Sequence, residues 1–244
     1  MDNLRIIVFI FLSILLTGCT SELASAPVIN GWHQSNAASQ TYVVRQGDTL
    51  YSIAWAFGLD YRSLVEANHL QAPYSIHVGQ SLVMTSNPPS EQAESNHVNG
   101  RTSSVVTPHA DQAAAQSGGS SIDLSHWAWP AKGQLASRFS LASNGYQGIE
   151  IAGKLGQPIY ASTAGEVVYS GSGVRGYGNL IIIKHNTNYL TAYAFNQKRL
   201  VAVGETVRLG QEIALMGQNN AGKTLLYFEV RKNGKPVNPL SFLG

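Results

Sequence analysis

One cysteine, Cys19, is the only thiol in this 244-residue chain. No intramolecular disulfide can brace the fold, so stability has to come from packing. The C-terminal half lacks more. From Trp127 onward there is no Asp, no Cys and a single histidine, His185. A zinc site takes about three His, Cys or carboxylate ligands and leaves one position for water. This stretch offers few such groups, Glu150 among them. Its serines and lysines have no histidine near a serine, so no nucleophile–base pair is visible. Gly176-Tyr177-Gly178 lacks the further glycines and the helix of a dinucleotide loop and reads as a turn. No helical stripe of any length appears in the same region.

What is present is unevenly spread. Hydrophobic residues make up 44% of the chain, enough for one large or two small cores. Twelve Lys/Arg against five Glu give residues 127–244 a net charge of +7, whereas residues 86–126 carry one Arg against four acids, a net of −3. A basic domain can meet nucleic acid, anionic wall polymer, a membrane or an acidic protein, or can simply be solvated. Charge alone does not choose among these.

Residues 6–16 (IIVFIFLSILL) form an uncharged apolar run, broken only by Ser13, after Arg5. The run is long enough for a signal-peptide core and too short for a comfortable membrane span. It ends in Leu16-Thr17-Gly18-Cys19, which resembles the lipobox of bacterial lipoproteins. That resemblance implies removal of residues 1–18 and a diacylglyceryl group on Cys19. By the same resemblance, Thr20 in place of aspartate favours the outer membrane over the inner. The alternative is a free thiol behind an ordinary signal peptide.

Residues 19–40 are small and polar and suit a tether. Residues 86–126 are rich in Ser, Ala, Asn, Gln, Pro and Gly and poor in large apolar groups. They cannot bury enough surface to offset chain entropy, so they are expected to be a disordered linker spanning on the order of 35 Å. Between these segments, residues 41–85 are strongly patterned. Tyr42-Val43-Val44 starts a strand, and Asp48 or Thr49 is suited to cap a helix. Leu50, Ile53, Ala54 and Phe57 fall on one helical stripe. Gly58 stops that helix, Asp60 can cap a second, and Ser81–Met84 reads as a closing strand.

This segment resembles a LysM domain through Tyr42-Val43-Val44, Gly47-Asp48-Thr49-Leu50, Ile53-Ala54, Asn68 and Ile76–Leu82. The resemblance implies a small α+β fold of two helices on a two-stranded antiparallel sheet. It also implies binding of N-acetylglucosamine-containing glycans such as peptidoglycan. By that likeness the glycan loops are Gly47, Asp48, Thr49 and Leu50, opposite Ala72 to Ile76. For Asp48, glycan contact and helix capping both stand at this stage. His69 and His77 are expected at the surface, and Asn68 is expected to shape a turn.

From Trp127 short strand-like runs alternate with glycine turns: Pro158–Ala161, Glu166–Tyr169, Leu180–Ile183 and Glu212–Leu215. The pattern predicts an all-β, mainly antiparallel domain over residues 127–244. In TLLYFEV, residues 224–230, Leu226, Phe228 and Val230 would point to one face and Leu225, Tyr227 and Glu229 to the other.

The domain resembles the LytM, lysostaphin-like metallopeptidases through Tyr146–Ala152, Gly156–Ala161, Ala164–Val168, Gly176–Leu180, Lys184-His185, Thr191–Ala194 and Phe228–Val230. Catalytic members hold one zinc through the histidine and aspartate of an H-x-x-x-D motif and the second histidine of an H-x-H motif, while the first histidine of H-x-H and another after a Tyr-Ala or Tyr-Gly pair act on the water and the oxyanion. Here those positions hold Tyr146 and Glu150, Leu225 and Tyr227, and Phe195. The resemblance also puts His185 at a strand end outside the metal site, hence at the surface. With those positions replaced, no bound metal or other cofactor and no catalytic residues are expected. The replaced positions would form an apolar, aromatic groove oriented by Glu150 and Arg175. Such a groove suits a protein partner; the other possibility is a groove collapsed around filler.

The whole layout resembles the NlpD-type lipoproteins of Gram-negative bacteria. That likeness implies an outer-membrane lipoprotein that binds peptidoglycan, not nucleic acid, and activates a periplasmic N-acetylmuramoyl-L-alanine amidase during cell separation. Typical members keep one or two of the histidines, and this chain keeps none at those positions. A passive tether between outer membrane and wall is the rival reading.

Overall fold

The computed structural model describes residues 40–85, 127–141 and 147–244. Cys19, the expected signal peptide, the expected linker and Tyr146 lie outside the described residues. Residues 40–85 form β1 (Gln40–Val43), α1 (Leu50–Phe57), α2 (Tyr61–Ala67) and β2 (Ser81–Met84). β1 and β2 pair antiparallel, with Tyr42 opposite Leu82. The expected α+β plan of two helices on a two-stranded sheet is what folds.

Local chemistry sets the boundaries. Thr49, not Asp48, caps α1: its side chain accepts from the Ser52 N–H while Ser52 Oγ accepts from the Thr49 N–H, a reciprocal pair that satisfies two orphan donors. Asp48 instead closes the turn before the helix, accepting from Tyr42 Oη at 2.7 Å and the Arg45 N–H at 2.8 Å. Gly58 ends α1 in the left-handed region at φ 65°, where a side chain would be costly. Asp60 caps α2 by accepting from the Arg62 N–H. Asn68 does more than shape a turn: it exchanges hydrogen bonds with the Val83 N–H and C=O and so ties β2 to the end of α2. His69 and His77 are exposed, as expected.

Residues 127–244 are mainly antiparallel β-structure: β3 (Gln134–Ser137), β4 (Ile149–Ala152), β5 (Pro158–Tyr160), β6 (Gly165–Gly171), β7 (Asn179–Lys184), β8 (Tyr189–Arg199), β9 (Thr206–Val207), β10 (Glu212–Met216), β11 (Leu225–Lys232) and β12 (Lys235–Val237). The sheet order is β3-β4-β11-β8-β7-β6-β9, with β10 bridging β8 to β5 and β12 at β11. Every pairing in it is antiparallel. Ile149, Ile151, Ile181, Ile183, Leu226 and Phe228 build the core on one face. The ends of the domain close on each other: the Trp127 N–H donates to the Phe242 carbonyl and the Gly244 N–H to that of Trp127.

His185 corrects the sequence reading. It is not a surface residue but is 5% exposed, with Nδ1 2.7 Å from the Ala164 carbonyl and Nε2 2.8 Å from Thr191 Oγ1. Its ring lies 5.1 Å from that of Trp127. The strand ends there, but both ring nitrogens find partners inside. Burial lowers its pKa from 6.5 to about 4, although the Ala164 carbonyl pulls the other way. The folded-state pKa lies below the unfolded one, so protons bind the unfolded chain first. Stability is complete above pH 6.5 and falls as pH drops from there to about 4, by about 3 kcal/mol in all. The urea midpoint is expected to fall between pH 7.5 and pH 5, and replacing His185 with Asn should flatten that slope. A wild-type midpoint unchanged between the two pH values would contradict this.

Candidate functional site

The site is built on three adjacent strands. β11 runs between β4 and β8, with Tyr227 opposite Glu150 on one side and Ala194 on the other. Strand alternation sends Leu226, Phe228 and Val230 into the core described above and Leu225 and Tyr227 into a second cluster on the opposite face. The expected division of TLLYFEV between two faces is what forms.

Phe195 reaches that second cluster by an irregular route. Its φ is +62°, an outlier for a bulky side chain. The Phe195 N–H donates to the Tyr177 carbonyl and its own carbonyl accepts from the Gly217 N–H, both at 3.0 Å. Gly217 permits that approach, because an added Cβ would stand 2.5 Å from the Phe195 oxygen. The consecutive residues Ala194 and Phe195 therefore both enter the second cluster. The Phe195 and Tyr227 rings lie 6.3 Å apart, edge to face. Glu150, Phe195, Leu225 and Tyr227 thus gather on one face. Arg175 is exposed in the β6–β7 loop.

The expected open aromatic groove differs from what is observed. Phe195 and Leu225 are each 2% exposed, and Tyr227 is fully buried. Tyr177 from the β6–β7 loop brings its ring to 5.8 Å from that of Tyr227. The Gly148 backbone lies so close that an added Cβ would come within 2.8 Å of the Tyr227 ring. These large side chains fill the space they line.

A buried polar relay runs out of this cluster. Tyr227 Oη donates to Glu229 Oε2 at 2.6 Å, and Arg231 Nε donates to Glu229 Oε1 at 2.6 Å. Arg231 Nη1 then donates to the Trp55 carbonyl of α1 at 2.8 Å. Burial, reinforced by Glu229, pushes the Tyr227 phenol well above its usual pKa. Burial works against the Arg231 charge, but Glu229, Tyr177 and Tyr227 together outweigh it and hold the guanidinium pKa above its ordinary value. Burial also raises the Glu150 carboxyl, and Lys223 partly offsets it.

These residues do not fit a zinc ion. Leu225 and Phe195 have no donor atom, the Tyr227 phenol is spent on Glu229, and Glu150 is one carboxylate where about three ligands are needed. Among the described residues, no group of three or more His, Cys, Asp or Glu could hold a metal.

In the first domain the candidate glycan positions fall into two kinds. Gly47 is exposed with φ 85°, and Asp48 and Thr49 are half-buried by the turn and cap they serve. Leu50 is 1% exposed and belongs to the core, so only its backbone can meet a ligand. Ile76 is half-buried and packs against the same core.

Comparison with known proteins agrees with both halves. Residues 42–85 match the LysM domain model, and residues 144–239 match the model of peptidase family M23. A Pseudomonas aeruginosa protein described as a lipoprotein NlpD/LppB homolog is 42% identical over 231 residues, 84% of this chain and 77% of its own. The murein hydrolase activator NlpD of Escherichia coli is 36% identical over 84% of this chain and 68% of its own. The outer membrane antigenic lipoprotein B of Histophilus somni is 35% identical over 88% of this chain and 70% of its own. With a LysM domain followed by an M23-type domain and this degree of identity, the chain belongs to the NlpD/LppB lipoprotein family.

Proposed function

We propose that this protein is a non-catalytic envelope lipoprotein that binds peptidoglycan through its LysM domain. Its M23-type domain activates a periplasmic N-acetylmuramoyl-L-alanine amidase. The observation that carries this reading is an M23-type scaffold in which Tyr227, at a zinc-ligand position by the LytM resemblance, and Leu225 and Phe195, at its two catalytic-histidine positions, are all buried. Such a domain cannot polarise a water on a metal, so its use must lie in what it binds. The name of the Escherichia coli relative, a murein hydrolase activator, supports the direction of that effect. The lipobox at Cys19 and the relatives described as lipoproteins support a lipid anchor on the periplasmic face of the outer membrane. Residues 19–40 then serve as the tether and 86–126 as the linker. Partner contact at the filled face would involve Glu150, Phe195, Leu225 and Tyr227, with Tyr146 and Arg175 at its margin.

The mature chain should bind a purified periplasmic amidase and also sediment with peptidoglycan. Peptidoglycan binding without any amidase binding would favour the passive tether. The net charge of +7 over residues 127–244 gives that rival its support. Tether binding through those cations would fade steeply as salt rises, whereas LysM recognition of N-acetyl groups would not.

A further inference from the structure

Helix α1 has a second buried face that the first domain's own core does not explain. Leu50, Ile53 and Ala54 point into that core, but Trp55 lies off their stripe and is still 2% exposed. The M23-type domain covers it. The Arg231 guanidinium sits 3.8 Å from the centroid of the Trp55 ring, close enough for a cation–π contact. Its Nη1 donates to the Trp55 carbonyl, in the last turn of α1, where the helix dipole favours a cation. Beside this, Arg62 of α2 donates to Asn188 at 3.2 Å and to Asn233 at 2.9 Å. The turn at Gly234 packs directly on the start of α2, for an added Cβ there would lie 2.5 Å from the Asp60 nitrogen.

The covered face is the one that carries Leu225 and Tyr227. The hydrophobic cores of the two domains run together there: Leu50, Trp55 and Leu64 belong to one buried cluster with Ile182, Ala192 and Tyr227. The relay from Tyr227 through Glu229 to Arg231 ends on Trp55. We propose that the LysM domain is an intramolecular cap on this face, and that the cap must leave before the face can take a protein partner. This rests on the reading above that the M23-type domain acts through such a partner.

The chemistry allows the cap to be reversible. The main polar attachment is a guanidinium on a backbone carbonyl, and on opening both groups hydrate rather than stay buried unpaired. The closed state also leaves the first domain's ligand loops accessible, since Gly47, Ala72, Pro73 and Ser75 remain exposed. A glycan can be held while the partner face is withheld.

Gly234 offers a clean test because it touches α2 only through its backbone. Its φ of +74° is tolerated by Asn, but the new Cβ would collide with the Asp60 backbone and push the cap off. Spin labels at Val78→Cys and Lys223→Cys in the Cys19→Ser full-length chain report the distance between domains. The expected result is one narrow distance in the parent and a broad distribution in Gly234→Asn. Amidase binding should tighten about tenfold in the variant if roughly a tenth of the parent is open. Trp55→Ala, which loosens the contact from the other domain, should act in the same direction and guards against a folding defect in Gly234→Asn. A broad distribution already present in the parent would overturn the cap. So would equal amidase binding by the parent and by variants shown to be open. If the distances open as expected but no chain binds or stimulates an amidase, the cap stands and the activator reading fails.

Discussion

Replacing Tyr227 with aspartate is expected to unfold the M23-type domain. Read as an open groove, the sequence would suggest a surface substitution that erases a partner contact and leaves the fold intact. The structure says otherwise. Tyr227 is fully buried at the centre of the sheet, so the change removes a large aromatic, at about 3–5 kcal/mol, and leaves a carboxylate in its place. That carboxylate would face Glu229, which now receives the Tyr227 hydroxyl, and like charges in a dry site repel. A domain has only about 5–15 kcal/mol in total. Phe195→Asp should behave similarly. Near-ultraviolet circular dichroism of the full chain should lose the M23-type domain's share of its signal in either variant. Tyr227→Phe keeps the packing and loses one hydrogen bond to a charged acceptor, so it should stay folded at a cost of about 1–3 kcal/mol. A well-folded Tyr227→Asp protein would show that this face opens far more readily than the packing implies.

The second large effect concerns the ion pair. Arg231 and Glu229 side chains are 5% and 1% exposed and 2.6 Å apart. Arg231→Met should cost about 3–5 kcal/mol, because the loss strands a buried carboxylate. Glu229→Gln added to Arg231→Met removes that stranded charge while keeping an acceptor for Tyr227. The double variant should therefore recover most of the loss, measured by urea denaturation at pH 7.5. If the two changes simply added, the pair would not be coupled. Arg231→Met should also loosen the LysM cap, since its guanidinium is what reaches Trp55.

How far the sequence could be read followed the range of the interactions. Thr49, Gly58 and Asp60 act on backbone within a few residues of themselves, so both LysM helices were legible from caps and periodicity. The alternation in residues 224–230 was legible for the same reason, and with it the two faces of β11. His185 departs from the surface expectation because a strand end says nothing about the Ala164 carbonyl and the Thr191 hydroxyl that hold its ring inside. The left-handed backbone of Phe195 was invisible, since nothing about phenylalanine favours it; Gly217, contacted across strands, makes it possible. The domain contact was hidden most deeply. Arg231 and Trp55 are 176 positions apart, and an Arg two residues from a Glu on a strand looks like ordinary surface charge. The available signal was Trp55 itself, a large aromatic outside its helix's core stripe.

If an M23-type scaffold with a filled face works through another enzyme, dye release from labelled peptidoglycan will show it, comparing the amidase alone, this chain alone with added zinc, and the two together. The expected result is no release by the chain alone with or without zinc, and faster release by the mixture than by the amidase alone. Zinc-dependent release by the chain alone, or an amidase rate unchanged by its presence, would contradict it.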